Sequence, residues 1–353
     1  MNKVLIIKLG AIGDLLMATP AIRALKNAYP TAHVSILVGK SSKMAVNGNP
    51  HIDEFIECDD YIIYKGTLLQ KLKYILSLIL KIKREKYDVV FIFHRDWRFN
   101  LFAFLCGIPE RVGFDRNGEG RFLTNKVRIS GIKHNIDQYL EIIKAIGIRD
   151  DGKGMDFIIS NEVEKAADEI LTRKGLKNGD IKIGVLAGGA SNIKTEMPIK
   201  RWPVEDYTEL SGKIVAGGYK VILLGAESDK SNSEIISRNI VNGVIDLTGR
   251  TTLEETAAVM KRCKVIITHD SGPMHLASAM QVPVISIFGP TDPREYYPLN
   301  SGGHYFWNAE NIECAPCYED GRFPDCNDPI CIKAVTVEQV YEKLKDIIDA
   351  RGR

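Results

Sequence analysis

Residues 3–14 read KVLIIKLGAIGD. The apolar run Lys3–Leu9 closes on Gly10 and Gly13, and from Asp14 to Tyr29 apolar residues return at helical spacing. A short, nearly unbroken apolar run suits a strand buried on both faces, and a glycine turn after it lets the chain reverse into a helix. Strand, glycine turn and helix form the opening unit of a doubly wound parallel sheet. The rhythm continues with strands at His33–Val38, Glu54–Cys58 and Asp88–Phe93 and a long helix over Leu68–Lys86. Helices over Asn100–Cys106 and Ile136–Ile146, flanking the segment Arg111–Phe114, complete this half.

Residues 148–160 (IRDDGKGMDFIIS) mix charge and glycine without a period, as an interdomain connection does. Beyond them the alternation restarts, with strands at Ile181–Leu186, Lys220–Leu224, Val244–Asp246, Val265–Thr268 and Val284–Phe288 separated by helical patterns. The expected division is an N-terminal Rossmann-like domain over 1–155, a second over 156–335, and an amphipathic helix over 336–353 whose packing partner the pattern leaves open. A chain of 353 residues suits two such domains. The fold class expected is α/β, two doubly wound domains facing a cleft, with ligands at the carboxyl ends of the strands.

Composition narrows the function. With 45% apolar and 26% charged residues the chain reads as globular, not disordered. The first apolar run breaks at Lys8 and Gly10, which argues against a signal peptide, and Leu68–Ile82 is interrupted by Lys71, Lys73 and Lys81, which argues against a spanning helix. A cytoplasmic protein is expected. Net charge is +2, but residues 1–180 carry 28 basic against 22 acidic side chains and 181–353 carry 19 against 23. A basic first half suits an anionic acceptor or the inner face of the cytoplasmic membrane, where peripheral association is a candidate; no nucleic-acid partner is expected. For the basic helix Leu68–Lys86, packing on its own sheet is favoured over lying on a membrane. Seven cysteines in a cytosolic chain do not form a disulfide framework.

The motifs fall at strand ends. Gly10 and Gly13 lack the third glycine and the following acid of a nicotinamide fold, and no phosphate-binding GxxxxGK[ST] run exists. Asp14 has a plain reading as a helix N-cap and a functional one as a general base, ionised beside a helix N-terminus. Lys8, Gly13 and Arg95 share its side of the chain as acceptor candidates. In the second half, Gly188, Gly189, Ala190 and Ser191 precede Lys200-Arg201, which reads as an anion site, while Trp202-Pro203 reads as a helix start. Asp270, Ser271, Gly272, Met274 and His275 open a helix whose free N–H groups near Met274 and His275 suit a phosphate. Asp292 before Pro293 reads as a cap. Glu227 is favoured over Asp229 as an acid for a ribose hydroxyl. Together these describe a nucleoside diphosphate pocket.

The segments VLIIKLGAIGDLLMATPAI (4–22), KRWP (200–203), LTGRTTLEETAAVMKRCKVIITHDSGPMHLASAM (247–280) and GPTDP (289–293) resemble glycosyltransferase family 9, the ADP-heptose:lipopolysaccharide heptosyltransferases. That resemblance implies a GT-B fold, an inverting single displacement and an ADP-sugar donor held by the second domain. It implies no metal in catalysis and an anionic glycan or glycolipid acceptor at the first domain. By the same resemblance Asp14 is the catalytic base, Lys200 stabilises the leaving diphosphate, Asp270, Ser271, Gly272 and His275 bind the donor, and Thr248 and Gly249 lie near the nucleoside. The departure is Cys314, Cys317, Cys326 and Cys331, whose spacing is that of a thiolate site for structural zinc or iron. Two rival readings stay open at this point, a sugar-nucleotide epimerase or hydrolase of the same fold and a non-catalytic nucleotide-sugar-binding protein.

Overall fold

The computed structural model describes residues 1–240, 242–300, 302–318 and 323–350. In chain order the strands are β1 (Lys3–Ile7), β2 (His33–Gly39), β3 (Glu54–Cys58), β4 (Val89–Ile92), β5 (Glu110–Phe114), β6 (Asn125–Val127), β7 (Lys182–Leu186), β8 (Lys220–Leu223), β9 (Val244–Asp246), β10 (Val265–His269), β11 (Val284–Ile287) and β12 (Gly303–Phe306). The helices are α1 (Ile12–Ala28), α2 (Asp60–Lys65), α3 (Leu68–Glu85), α4 (Trp97–Leu105), α5 (Asn135–Lys144), α6 (Asn161–Arg173), α7 (Val204–Ala216), α8 (Lys230–Asn239), α9 (Leu253–Lys261), α10 (Gly272–Ala279), α11 (Pro293–Tyr296), α12 (Ile330–Lys333) and α13 (Val337–Ala350).

Two six-stranded sheets result, ordered β3-β2-β1-β4-β5-β6 and β12-β11-β10-β7-β8-β9, with parallel pairing throughout. In each, the first strand of its half lies centrally and the order reverses beside it, the doubly wound arrangement. The chain divides into two compact units, Met1–Asp156 with Asn192–Lys194, and Phe157–Ser191 with the residues from Thr195 on.

In the first unit Leu5, Ile7, Leu37, Ile56, Val90 and Ile92 share one face of the sheet, covered by Leu78, Ile79 and Ile82 of α3 and by Ala103 of α4. Their neighbours Val4, Ile6, Val34 and Phe91 are as deeply buried. Burial on both faces explains why these strands read as runs and not as alternations. Each such side chain contributes about 1.5–3 kcal/mol. Arg23 of α1 pins the connection after α5, pairing with Asp151 at 2.8 Å and Asp156 at 2.6 Å.

In the second unit Val185, Leu223, Ile267 and Ile287 meet Tyr207, Leu210 and Ile214 of α7. The same core takes Val337, Val340, Leu344 and Ile348, one stripe of α13 at intervals of three and four residues, which settles where the terminal helix packs. Two edge strands differ from expectation by existing at all. Asn125–Val127 and Gly303–Phe306 are short, partly exposed and carry no apolar run, so nothing in their residues announces a strand. At the opposite extreme β1 ends at Ile7, before Leu9, whose N–H bonds to the His94 ring instead of a neighbouring strand.

Candidate active site

Past β1 the chain turns at Gly10 into α1, and Asp14 falls in that helix's first turn. The cap position is Ala11, which has no side-chain oxygen, so Asp14 is not the N-cap its residue type suggests. Its Oδ2 lies 3.4 Å from the Ala11 N–H, whereas Oδ1 accepts two better hydrogen bonds, from Lys8 Nζ at 3.0 Å and the Tyr139 hydroxyl at 2.9 Å. Lys8 is buried, and its ammonium lies 5.1 Å from the centroid of the Tyr139 ring. Burial pushes the Asp14 carboxyl up, but the Lys8 charge and the hydrogen bonds from Lys8, Tyr139 and Ala11 outweigh it, leaving the pKa below its ordinary value. The carboxylate is ionised at neutral pH. With 38% of its side chain exposed and Oδ2 less committed than Oδ1, it has an oxygen open to a proton.

His94 follows β4, the strand beside β1. Its Nε2 accepts the Leu9 N–H at 2.8 Å, which places the ring proton on Nδ1, and the ring stacks on Phe99 at 3.9 Å. Burial and the Lys8 charge hold its pKa well below the imidazole range. It is a neutral wall beside Asp14, not a second acid. Arg95 is exposed and donates to the side chains of Gln138 and Asn135, and Gly13 is buried inside α1.

In the second unit β7 runs into Gly188–Ser191, where Gly189 has φ +91° and a Cβ on Gly188 would stand 2.1 Å from Cγ of Asp229. Asp229 accepts the Gly189 N–H at 3.0 Å and the Ala226 N–H at 2.9 Å, so it clamps the loops leaving β7 and β8 to each other. Asp229 is thus spent on backbone. Glu227 is exposed, paired with Lys230 at 2.7 Å, and abuts Gly249, where a Cβ would lie 2.5 Å from Oε2. Beside it the buried Thr248 hydroxyl has no hydrogen-bond partner among the described residues. Glu227, Thr248 and Gly249 therefore form one group. Ser191 is exposed, Ala190 is buried with φ +52°, and Arg201 is used structurally, its Nε on the Gly189 carbonyl at 3.0 Å and its Nη2 2.8 Å from Glu196.

The neighbouring group is built on the end of β10. Lys200 Nζ stands 2.7 Å from Asp270 Oδ2, with 13% and 4% of their side chains exposed, and the Thr291 hydroxyl donates to the same oxygen at 2.6 Å. Burial raises the Asp270 pKa, but Lys200 and Thr291 lower it further, so Asp270 stays ionised. His269 is fully buried, with Nδ1 3.1 Å from the Tyr207 hydroxyl; burial first, and then the Lys200 charge, push its pKa down to about 3. Ser271 touches the glycine loop, since a Cβ on Gly189 would lie 3.4 Å from its own, and its Oγ donates to the His269 carbonyl at 3.1 Å. One expectation needs correction at Gly272, where α10 begins. The Met274 N–H bonds to the Ser271 carbonyl at 3.1 Å, Pro273 has no N–H, and the side chains of Met274 and His275 are buried. The first turn of α10 thus offers an anion fewer donors than the sequence suggested. Asp292 does cap α11, accepting the Arg294 N–H at 2.9 Å.

Cys314, Cys317, Cys326 and Cys331 are all free thiols. Burial pushes the Cys331 thiol up to about 11. Among the described residues, however, no three His, Cys, Asp or Glu side chains are grouped so that they fit a metal ion.

Two doubly wound units, one presenting an ionised carboxylate and the other a glycine-lined cationic cradle, have the makeup of a GT-B glycosyltransferase. The chain belongs to glycosyltransferase family 9 (heptosyltransferase), whose pattern matches residues 75–325. It is 27% identical to lipopolysaccharide heptosyltransferase 2 of Salmonella typhimurium over 366 aligned positions, covering 99% of both chains. The fold is shared with the glycosyl transferase family 9 protein of Veillonella parvula (TM-score 0.80, 24% identity, 98% of this chain and 97% of that one). It is shared too with the E. coli ADP-heptose lps heptosyltransferase II (TM-score 0.76, 20% identity, 99% and 100%). Family membership makes the chain a glycosyltransferase and sets aside the epimerase, hydrolase and non-catalytic readings.

Proposed function

We propose that the protein transfers heptose from ADP-heptose to an anionic lipopolysaccharide-core or related glycan acceptor, with inversion, in one displacement. The observation that carries this is the state of Asp14, ionised, anchored through Oδ1 by Lys8 and Tyr139, and open at Oδ2. The acceptor hydroxyl gives its proton to Oδ2 as its oxygen attacks the anomeric carbon. The bond from that carbon to the diphosphate breaks, and ADP leaves with the electron pair. Lys200 meets the charge that develops on the diphosphate, so the reaction uses no metal. Gly188, Gly189, Ser271 and Gly272 let the diphosphate approach the backbone, while Glu227, Thr248 and Gly249 face the nucleoside. Lys8 and Arg95 supply positive charge on the acceptor side. A nucleotide-activated donor is an intracellular metabolite, which agrees with a cytoplasmic reaction.

The test is Asp14→Asn, which keeps the shape and removes the base. Turnover should fall by about 10²–10⁴-fold, the usual contribution of a general base, while ADP affinity stays within about twofold. Turnover near that of the parent would refute Asp14 as the base.

A further inference from the structure

Helix α3 packs on its own sheet by one face only. Leu78, Ile79 and Ile82 enter the core, but Leu69, Leu72, Leu76 and Leu80 are 62%, 55%, 51% and 57% exposed. Intervals of three and four residues align these four on one stripe along the helix, and Leu68 extends it. The apolar surface does not stop at α3. Tyr61 of α2 and Phe104 and Leu105 at the end of α4 are exposed as well. Helix α2 contacts α3, and α4 covers the same face of the sheet. Just past α4, a Cβ on Gly107 would lie 3.7 Å from the Lys83 side chain. An exposed leucine stripe of this length marks a place that something covers.

Charge identifies what covers it. Helix α3 carries Lys71, Lys73, Lys81, Lys83 and Arg84 against one acid, Glu85, which is itself paired with Lys3 at 2.8 Å. By helical spacing Lys73, Lys83 and Arg84 border the leucine stripe. We infer that α3, with the adjoining ends of α2 and α4, is a docking surface for an anionic lipid bilayer. The leucines enter the acyl boundary, and the bordering cations lie at the level of the headgroups. No described helix is long and apolar enough to cross a membrane, and the inference is of binding to the bilayer surface. A second copy of the chain fits the surface poorly, because two such faces would bring the three bordering cations of each against those of the other. The inference does not rest on the transfer reaction, and its test contains neither donor nor acceptor, so either can fail alone.

The full chain is sedimented with vesicles of phosphatidylcholine alone and with vesicles containing about one-third phosphatidylglycerol. Binding to the anionic vesicles should be at least about tenfold stronger and should weaken as salt is raised. The double variant Leu72→Glu/Leu76→Glu should lose at least about tenfold of that binding with its melting temperature unchanged, because both side chains already face solvent. Should that variant fail to fold, Lys73→Glu/Lys83→Glu decides, with the same loss expected. Three results would overturn the inference: no binding of the parent to anionic vesicles, equal binding by the charge variant, or a dimer of the parent that the leucine variant dissolves.

Discussion

Replacing Lys200 with methionine tests the pair on which the second unit's cradle is built. Asp270 would keep the Thr291 hydroxyl at 2.6 Å but lose the ammonium at 2.7 Å, in a place where only 4% of its side chain is exposed. Breaking a buried pair from one side leaves a desolvated charge and costs about 3–5 kcal/mol; the retained hydrogen bond and the partly exposed lysine bring our expectation to about 2–4 kcal/mol. For a unit of roughly 190 residues that is a fall in Tm of roughly 5 to 10 °C. The sign with pH follows from Asp270, whose folded pKa is depressed. Its pair stabilises the fold above the carboxylate's unfolded pKa and is lost as pH falls through the folded one, so the gap between parent and variant should narrow in acid. Adding Asp270→Asn to Lys200→Met removes the orphan charge and should recover part of the loss. Differential scanning calorimetry of parent, both single variants and the double variant at neutral and acid pH measures the coupling. A coupling below about 0.5 kcal/mol, or a Tm gap that widens in acid, would refute a buried pair as the framework of the cradle.

Tyr139→Phe removes one of the two donors on Asp14 Oδ1, so the Asp14 pKa should rise and the acidic limb of the pH–rate profile should move to higher pH, with Asp14 still present. A profile that stays in place while kcat falls would mean that the hydroxyl orients the carboxylate without tuning it.

What the sequence revealed, and what it hid, divides along a physical line. Strands such as Val89–Ile92 are buried on both faces, so their apolar runs declare a parallel sheet, whereas Asn125–Val127 lies at an edge where no burial constrains its residues. The stripe of α13 shows which face is buried but not against what. At the site, glycine loops and helix starts at strand ends are local features and were legible. Tyr139 was not. It lies 125 residues from Asp14, and amid Ile136, Leu140 and Ile143 it reads as one more core aromatic. Thr291 was hidden differently, since a cap at Asp292 explained its segment completely. The apolar side of α3 could be counted from the sequence, but its helix carries more apolar residues than its inner face can bury, and only exposure shows which were left over.

Both proposed reacting groups are held by an opposite charge from their own unit, Asp14 by Lys8 and Lys200 by Asp270, yet the two pairs work in opposite senses. Lys8 lowers the basicity of Asp14 and in return guarantees that it is ionised. A neutral hydroxyl can approach Oδ2 without displacing Lys8 from Oδ1, so the pair need not break for the reaction to proceed. Lys200 has three N–H donors and spends one on Asp270, leaving others for a diphosphate. Asp270, however, is an anion beside a site proposed to hold another, and in isolation it would repel the ligand. The Lys200 ammonium, 2.7 Å from Oδ2, offsets that repulsion with its own charge. In the proposed reaction Asp270 therefore sets the position of Nζ, and Lys200 supplies an attraction for the diphosphate that the Asp270 field reduces.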